Sequence, residues 1–132
     1  MPKSTIDKSN PVTVFDVAAY IVEKQPKKPP MTTWKLQKLV YYCQAWSLVW
    51  DEQPLFKEKI LAWANGPVVK ELYELHRGQF HIKKLQKGSS ENLSHNQKDS
   101  IISVLNTYGD KTAQWLSDLT HMETSGLKHG KV

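Results

Sequence analysis

Very little in this 132-residue chain suggests redox, metal or phosphate chemistry. There is one cysteine, Cys43, which excludes an internal disulfide framework and any cysteine-rich metal site. The six glycines fall singly at turns, so no glycine-rich phosphate cradle is present. The five histidines include no HExxH pair, and Gly78 separates His76 from His81, which leaves no zinc spacing. Arg77 is the only arginine among 18 basic residues. Proteins that read DNA sequence lean on arginine, whose planar fork engages guanine and phosphate bidentately. No uncharged apolar run reaches the roughly 18 residues that span a bilayer, because Lys35 and Lys38 interrupt the best candidate. Residues 1–11 lack the apolar middle of a signal peptide. The expectation is a soluble cytoplasmic protein with no cofactor, no metal and no membrane partner.

What remains is globular: 39% hydrophobic, 23% charged, net charge +5. One domain of this length buries about two-thirds of its unfolded surface. The positive charge is scattered as Lys24, Lys27, Lys28, Lys57, Lys59, Lys83, Lys84 and Lys87, the pattern of a solvated surface. Nucleic-acid binding is therefore expected to be weak and nonspecific at most.

Hydrophobic periodicity predicts a mainly α, single compact bundle of about five helices around a central apolar helix. Thr13 and Asp16 mark the first helix start, with Val14, Val17, Ala18 and Ile21 on one face. It ends before QPKKPP (25–30), where Pro29 and Pro30 forbid continuation. Thr32 or Thr33 caps the second helix, TWKLQKLVYYCQAWSLVW at 33–50, which is apolar most of the way round and so belongs at the centre. Gln37 and Gln44 form its polar stripe, and buried amides need partners, here the segment around 62–68. Asn65-Gly66-Pro67 reads as a turn into a third helix with Pro67 at its first position. Residues 59–64 and 80–83 are candidates for one short β-ribbon. Ser94 and Gln97 form a capping box for the fourth helix. Asp110 is the expected cap of the fifth, with Trp115, Leu116, Leu119 and Met122 as its stripe. Residues 1–11 read as a loose N-terminal arm, 12–123 as the helical domain and 124–132 as a flexible C-terminal tail.

Catalytic constellations are weak. Ser117, Asp118 and His121 lie within one helical turn, whereas triad members converge from separate segments. Cys43 falls on the apolar stripe and reads as a packed thiol. No enzyme is expected. Five tryptophans exceed what so short a chain needs; most serve the core, and Trp34 and Trp63 are the candidate interface anchors.

Two blocks, KLQKLVYYCQAWSL (35–48) with PLF (54–56), and AWANGPVVKELY (62–73), followed by YGD (108–110) and LSDLTHME (116–123), together resemble the Panacea domain. That family is also described as phage-associated or GepA-like, and the resemblance covers roughly residues 12–123. It implies an antitoxin of a bacterial or prophage toxin–antitoxin system, which neutralises a cognate protein toxin by direct contact. One member of the family delivers its toxin to a protease as an adaptor. The family motif falls on Gln37, Lys38, Tyr42, Gln44, Trp63, Gly66, Pro67 and Val68. The chain departs from the family by lacking a proline-tryptophan pair after THME, having Thr124-Ser125-Gly126 there. With eleven residues ahead of the resembling region, no added DNA-binding domain of the kind some relatives carry is expected. The expected toxin-binding patch is Trp34, Lys38 and Trp63, with the Lys38 head exposed. The alternative is a basic prophage-encoded protein that associates with DNA.

Overall fold

The computed structural model describes residues 11–64, 66–120 and 122. Nearly all of the expected arm, and the whole expected tail at 124–132, lie outside them. Helix α1 (Val14–Lys24) opens on the expected capping box: Thr13 Oγ1 accepts from the Asp16 N–H, and Asp16 Oδ2 accepts from the Thr13 N–H at 2.9 Å. Val14, Val17, Ala18 and Ile21 are all fully buried. Asp16 has a second task. Its Oδ1 accepts from the Ser89 N–H (2.8 Å) and from Asn92 Nδ2 (3.0 Å), tying a distant loop to the start of α1.

After the proline-rich link come β1 (Met31–Thr32) and α2 (Thr33–Trp50). Thr32 caps α2, its hydroxyl accepting from the Lys35 N–H at 3.1 Å. Helix α2 is central, packing against α1 and against elements that come later in the chain. Leu36, Leu39, Val40, Tyr42 and Cys43 are buried in the core. Burial does not continue to the end of the helix: Leu48, Val49 and Trp50 are exposed, because α2 outruns its cover by a turn. Trp50 there stacks on half-buried Trp46 at 5.0 Å.

The segment after α2 departs most from expectation. Two ribbons are present, not one, and neither is the pairing of 59–64 with 80–83. Strand β2 (Ile60–Trp63) turns straight back into β3 (Gly66–Val69), with Ile60 opposite Val69 and Trp63 opposite Gly66. Strand β4 (His81–Ile82) pairs with β1, Met31 opposite Ile82. Gly66 has φ +112°, a conformation that suits glycine and lets the chain reverse here. Pro67 therefore sits inside a strand, and the helix that it was expected to open, α3 (Lys70–His76), starts three residues later.

Helix α4 (His95–Tyr108) has the expected Ser94–Gln97 capping box and ends at Gly109. It packs on α2 through Ile101, Val104 and Leu105, all buried. Helix α5 covers 113–120. Its cap is Thr112 rather than Asp110, for the Thr112 hydroxyl accepts from the Trp115 N–H at 3.0 Å. Its buried side is Leu116 and Thr120, whereas Trp115 and Met122 are exposed; the Lys111 ammonium lies over the Trp115 ring instead. The fold is thus mainly helical, five helices around central α2 with two small antiparallel ribbons among the described residues. No helix among them is long and apolar enough to cross a membrane.

Candidate interaction site

Strand β3 pairs with β2 along one edge only. Backbone groups on the other edge still require partners, and a buried edge without them would be costly. Bonding alternates along an antiparallel pair, so Pro67 and Val69 direct their free groups to the same side. Two neighbouring α2 side chains meet them there. Gln37 Oε1 accepts from the Val69 N–H (2.9 Å), and Gln37 Nε2 donates to the Val69 carbonyl (3.2 Å). Lys38 Nζ donates to the Pro67 carbonyl at 3.1 Å. Proline fits this strand position because it has no N–H to leave unpaired.

The expectation for the two glutamines holds for Gln37 and fails in part for Gln44. Gln37 is fully buried and grips the end of the hairpin. Gln44 is half-buried and grips a different segment: it accepts from the Leu55 and Phe56 N–H groups and donates to the Phe56 carbonyl at 2.9 Å. Seven residues apart, the two amides lie about 10 Å apart along the helix. Gln37 substitutes for a missing strand neighbour, and Gln44 holds the backbone of a loop.

Gln37 also fixes the chemistry of His76. Its Oε1 faces the Val69 N–H, so the nitrogen 3.0 Å from His76 Nε2 is a donor. His76 Nε2 must accept, which leaves the ring neutral with its proton on Nδ1. Burial lowers the His76 pKa from its usual value, outweighing a hydrogen bond to its own backbone that raises it. His76 is buried, and its ring meets Tyr73 edge-on at 5.6 Å and Trp34 at 6.4 Å.

Lys38 is a correction. It was expected to expose its head, yet the residue is 1% exposed. Its ammonium lies 5.4 Å from the Trp34 ring centroid. A Cβ added at Gly66 would come within 3.3 Å of Lys38 Nζ and 2.9 Å of the Thr120 hydroxyl. The lysine is thus enclosed by α2, the hairpin turn and α5, and burial lowers its pKa to about 8. It still borders open space: a pocket of about 210 Å³ is lined by Trp34, Lys38, Ala113, Gln114 and Ser117.

Above the lysine lies an aromatic cluster. Tyr73 links Trp34 (6.2 Å) to Trp63 (4.9 Å, edge-on), and all three rings are half-buried. The structure therefore gathers Trp34, Lys38 and Trp63 into one neighbourhood, as a half-buried surface with a buried cation. Sequence reading missed Tyr73 and His76, though their i, i+3 spacing on α3, with His76 four residues after Leu72, was a signal. Among the other motif positions, Tyr42 is buried and stacks on Tyr108 at 4.3 Å, and Gly66, Pro67 and Val68 are buried in the hairpin. They hold the fold.

Elsewhere, the set Ser117, Asp118 and His121 is described only in part. Asp118 accepts from Gln114 Nε2 at 2.8 Å, and His121 lies outside the described residues. Cys43 is buried, which pushes its thiol pKa up and keeps it a poor nucleophile. Among the described residues no three His, Cys, Asp or Glu side chains are grouped to hold a metal ion.

A helical bundle that clamps a β-hairpin beneath an aromatic surface has the form of a binding module. The family model for the SocA-like antitoxin, Panacea domain, matches residues 36–125, from α2 through α5, and the chain belongs to that family. Trp34 and α1 lie ahead of the matched span. No curated protein and no solved structure matches the chain.

Proposed function

We propose that the chain is the antitoxin of a bacterial or prophage toxin–antitoxin pair, neutralising its cognate protein toxin in the cytoplasm by direct contact, without catalysis. Family membership supports the class of activity. The observation that carries the contact reading is the half-buried group Trp34, Trp63 and Tyr73, mounted on α2, the hairpin and α3, which Gln37 ties together through Val69 and His76. Rigid aromatic anchors lose little entropy on binding and dominate protein interfaces. The alternative, association with DNA through lysines, is disfavoured around the hairpin, where Lys57, Lys59 and Lys70 share one surface with Glu58, Glu71 and Glu74. Interleaved charge of both signs gives phosphate little net attraction.

The test is growth rescue on co-expression with the protein encoded by the adjacent gene, using wild type and Trp63→Ser at matched soluble levels. Wild type should rescue and the variant should rescue less. No rescue by wild type overturns the antitoxin reading, and equal rescue overturns only the choice of surface. Repeating the assay in hosts lacking single cytoplasmic proteases separates blocking from adaptor-type delivery.

A further inference from the structure

Lys38 is the only lysine or arginine that is buried among the described residues. A buried ammonium is costly unless paired. Lys38 has the Pro67 carbonyl (3.1 Å) and the face of Trp34, but no described carboxylate lies in ion-pair contact with it. Its pocket, about 210 Å³, opens between Trp34 and the first turns of α5.

We propose that this pocket is an anchor site for a carboxylate, taking one aspartate or glutamate side chain of the toxin between Trp34 and α5 to pair with Lys38 Nζ. The source of the carboxylate rests on the antitoxin reading; the chemistry of the site does not. Three observations favour one carboxylate. The pocket is smaller than the roughly 300 Å³ at which small-molecule sites begin, so it admits a side chain rather than a metabolite. Lys38 is the only cation in the lining among the described residues, whereas a phosphate generally draws several charged donors. The remaining wall, Trp34 and Ala113 with Gln114 and Ser117, can pack the methylenes of an acidic side chain beside polar groups. An ion pair formed in such a shielded place is screened far less by salt than one between surface groups.

The test uses the full chain with 15N-labelled lysine, following the Lys38 Nζ resonance against pH. The probe is N-acetyl-glutamate methylamide, and N-acetyl-glutamine methylamide is the neutral control. The free chain should titrate near the depressed value of about 8. At saturation, in a roughly millimolar range, the glutamate probe should raise the midpoint by about one unit, a tenfold change, and the glutamine probe should leave it unchanged. Ala113→Glu, which puts a carboxylate on the pocket wall, should raise the midpoint without any probe and abolish the response to one. Three results overturn the proposal: equal response to both probes, tighter binding of inorganic phosphate, or an ordinary midpoint in the free chain, which would mean the pocket is filled from within. No toxin enters these measurements, so their failure is distinct from failure of growth rescue.

Discussion

Gln37 holds both backbone groups of Val69 with one side chain, accepting from the N–H at 2.9 Å and donating to the carbonyl at 3.2 Å. The same amide nitrogen bonds His76 Nε2. Three buried groups on two elements thus depend on a single α2 residue. Gln37→Ala should cost about 1–3 kcal/mol for each partner left stranded, and Gln44→Ala should cost less, because Gln44 is itself half-buried and its removal lets water reach the Leu55 and Phe56 backbone that it held. Urea unfolding of both variants checks the order. A smaller loss for Gln37→Ala than for Gln44→Ala would contradict the clamp.

His76 makes that clamp sensitive to acid. Protonation would set an N–H against the Gln37 amide donor, and burial already lowers the His76 pKa. Between the folded value and the unfolded 6.5, the unfolded chain holds more protons than the folded one. Stability is therefore full above about pH 6.5 and falls as pH drops through the folded value. Gln37→Glu should reverse the sign at this residue, since a carboxylate accepts from imidazolium and raises the His76 pKa. Imidazole NMR titration of wild type and variant reads both directions. An equal midpoint in the two would show that Gln37 does not set the charge of His76.

Lys38 gives a signature at the other end of the pH scale. Its pKa falls from 10.5 to about 8 on folding, so between those values the unfolded chain binds the extra proton and stability rises with pH. Cys43 opposes this. Its buried thiol keeps its proton above the ordinary 9.0, so the folded chain holds the extra proton and loses stability as pH climbs beyond that point. Lys38→Met should abolish the first effect and leave the second. The difference between the two stability curves, measured from pH 7.5 to about 10.5, therefore isolates the lysine. Lys38→Glu should fold poorly, because its carboxylate would face the Pro67 carbonyl in a buried place.

Local rules explain what was legible in the sequence and what was not. The starts of α1 and α4 are written within four residues each, at Thr13–Asp16 and Ser94–Gln97, where a cap and its reciprocal partner lie in one short stretch. The centrality of α2 follows from its own periodicity. The hairpin was missed because Gly66-Pro67 suits both a helix start and a strand return. What decides is the tertiary demand of Gln37 and Lys38 for the Val69 and Pro67 carbonyls. The burial of Lys38 was illegible for a related reason: lysine heads are rarely buried, and nothing near Lys38 in sequence shows that α5 and the hairpin turn close over it. Trp34 and Trp63 could be chosen as neighbours, but Tyr73, the ring that joins them, emerges only once α3 folds back beside α2.

The tightest of these packing demands falls on Gly66. Its φ of +112° already disfavours any side chain. Space disfavours one independently, since a Cβ there would stand 2.9 Å from Thr120 Oγ1 and 3.3 Å from Lys38 Cε. The lysine tail can give way, but Thr120 is fully buried and its hydroxyl donates to the Ser117 carbonyl at 2.9 Å. Gly66→Ala should therefore cost about 1–3 kcal/mol from the backbone alone, with a further loss as α5 is pushed outward. Gly78→Ala separates the two contributions, because Gly78 has φ +90° but nothing within 4 Å of an added Cβ. Thermal unfolding should show Gly66→Ala clearly less stable than Gly78→Ala. The Lys38 resonance should also move toward the ordinary lysine value only in the former, as water reaches the ammonium. Equal losses, with Lys38 undisturbed, would mean that the hairpin turn does not seal the lysine.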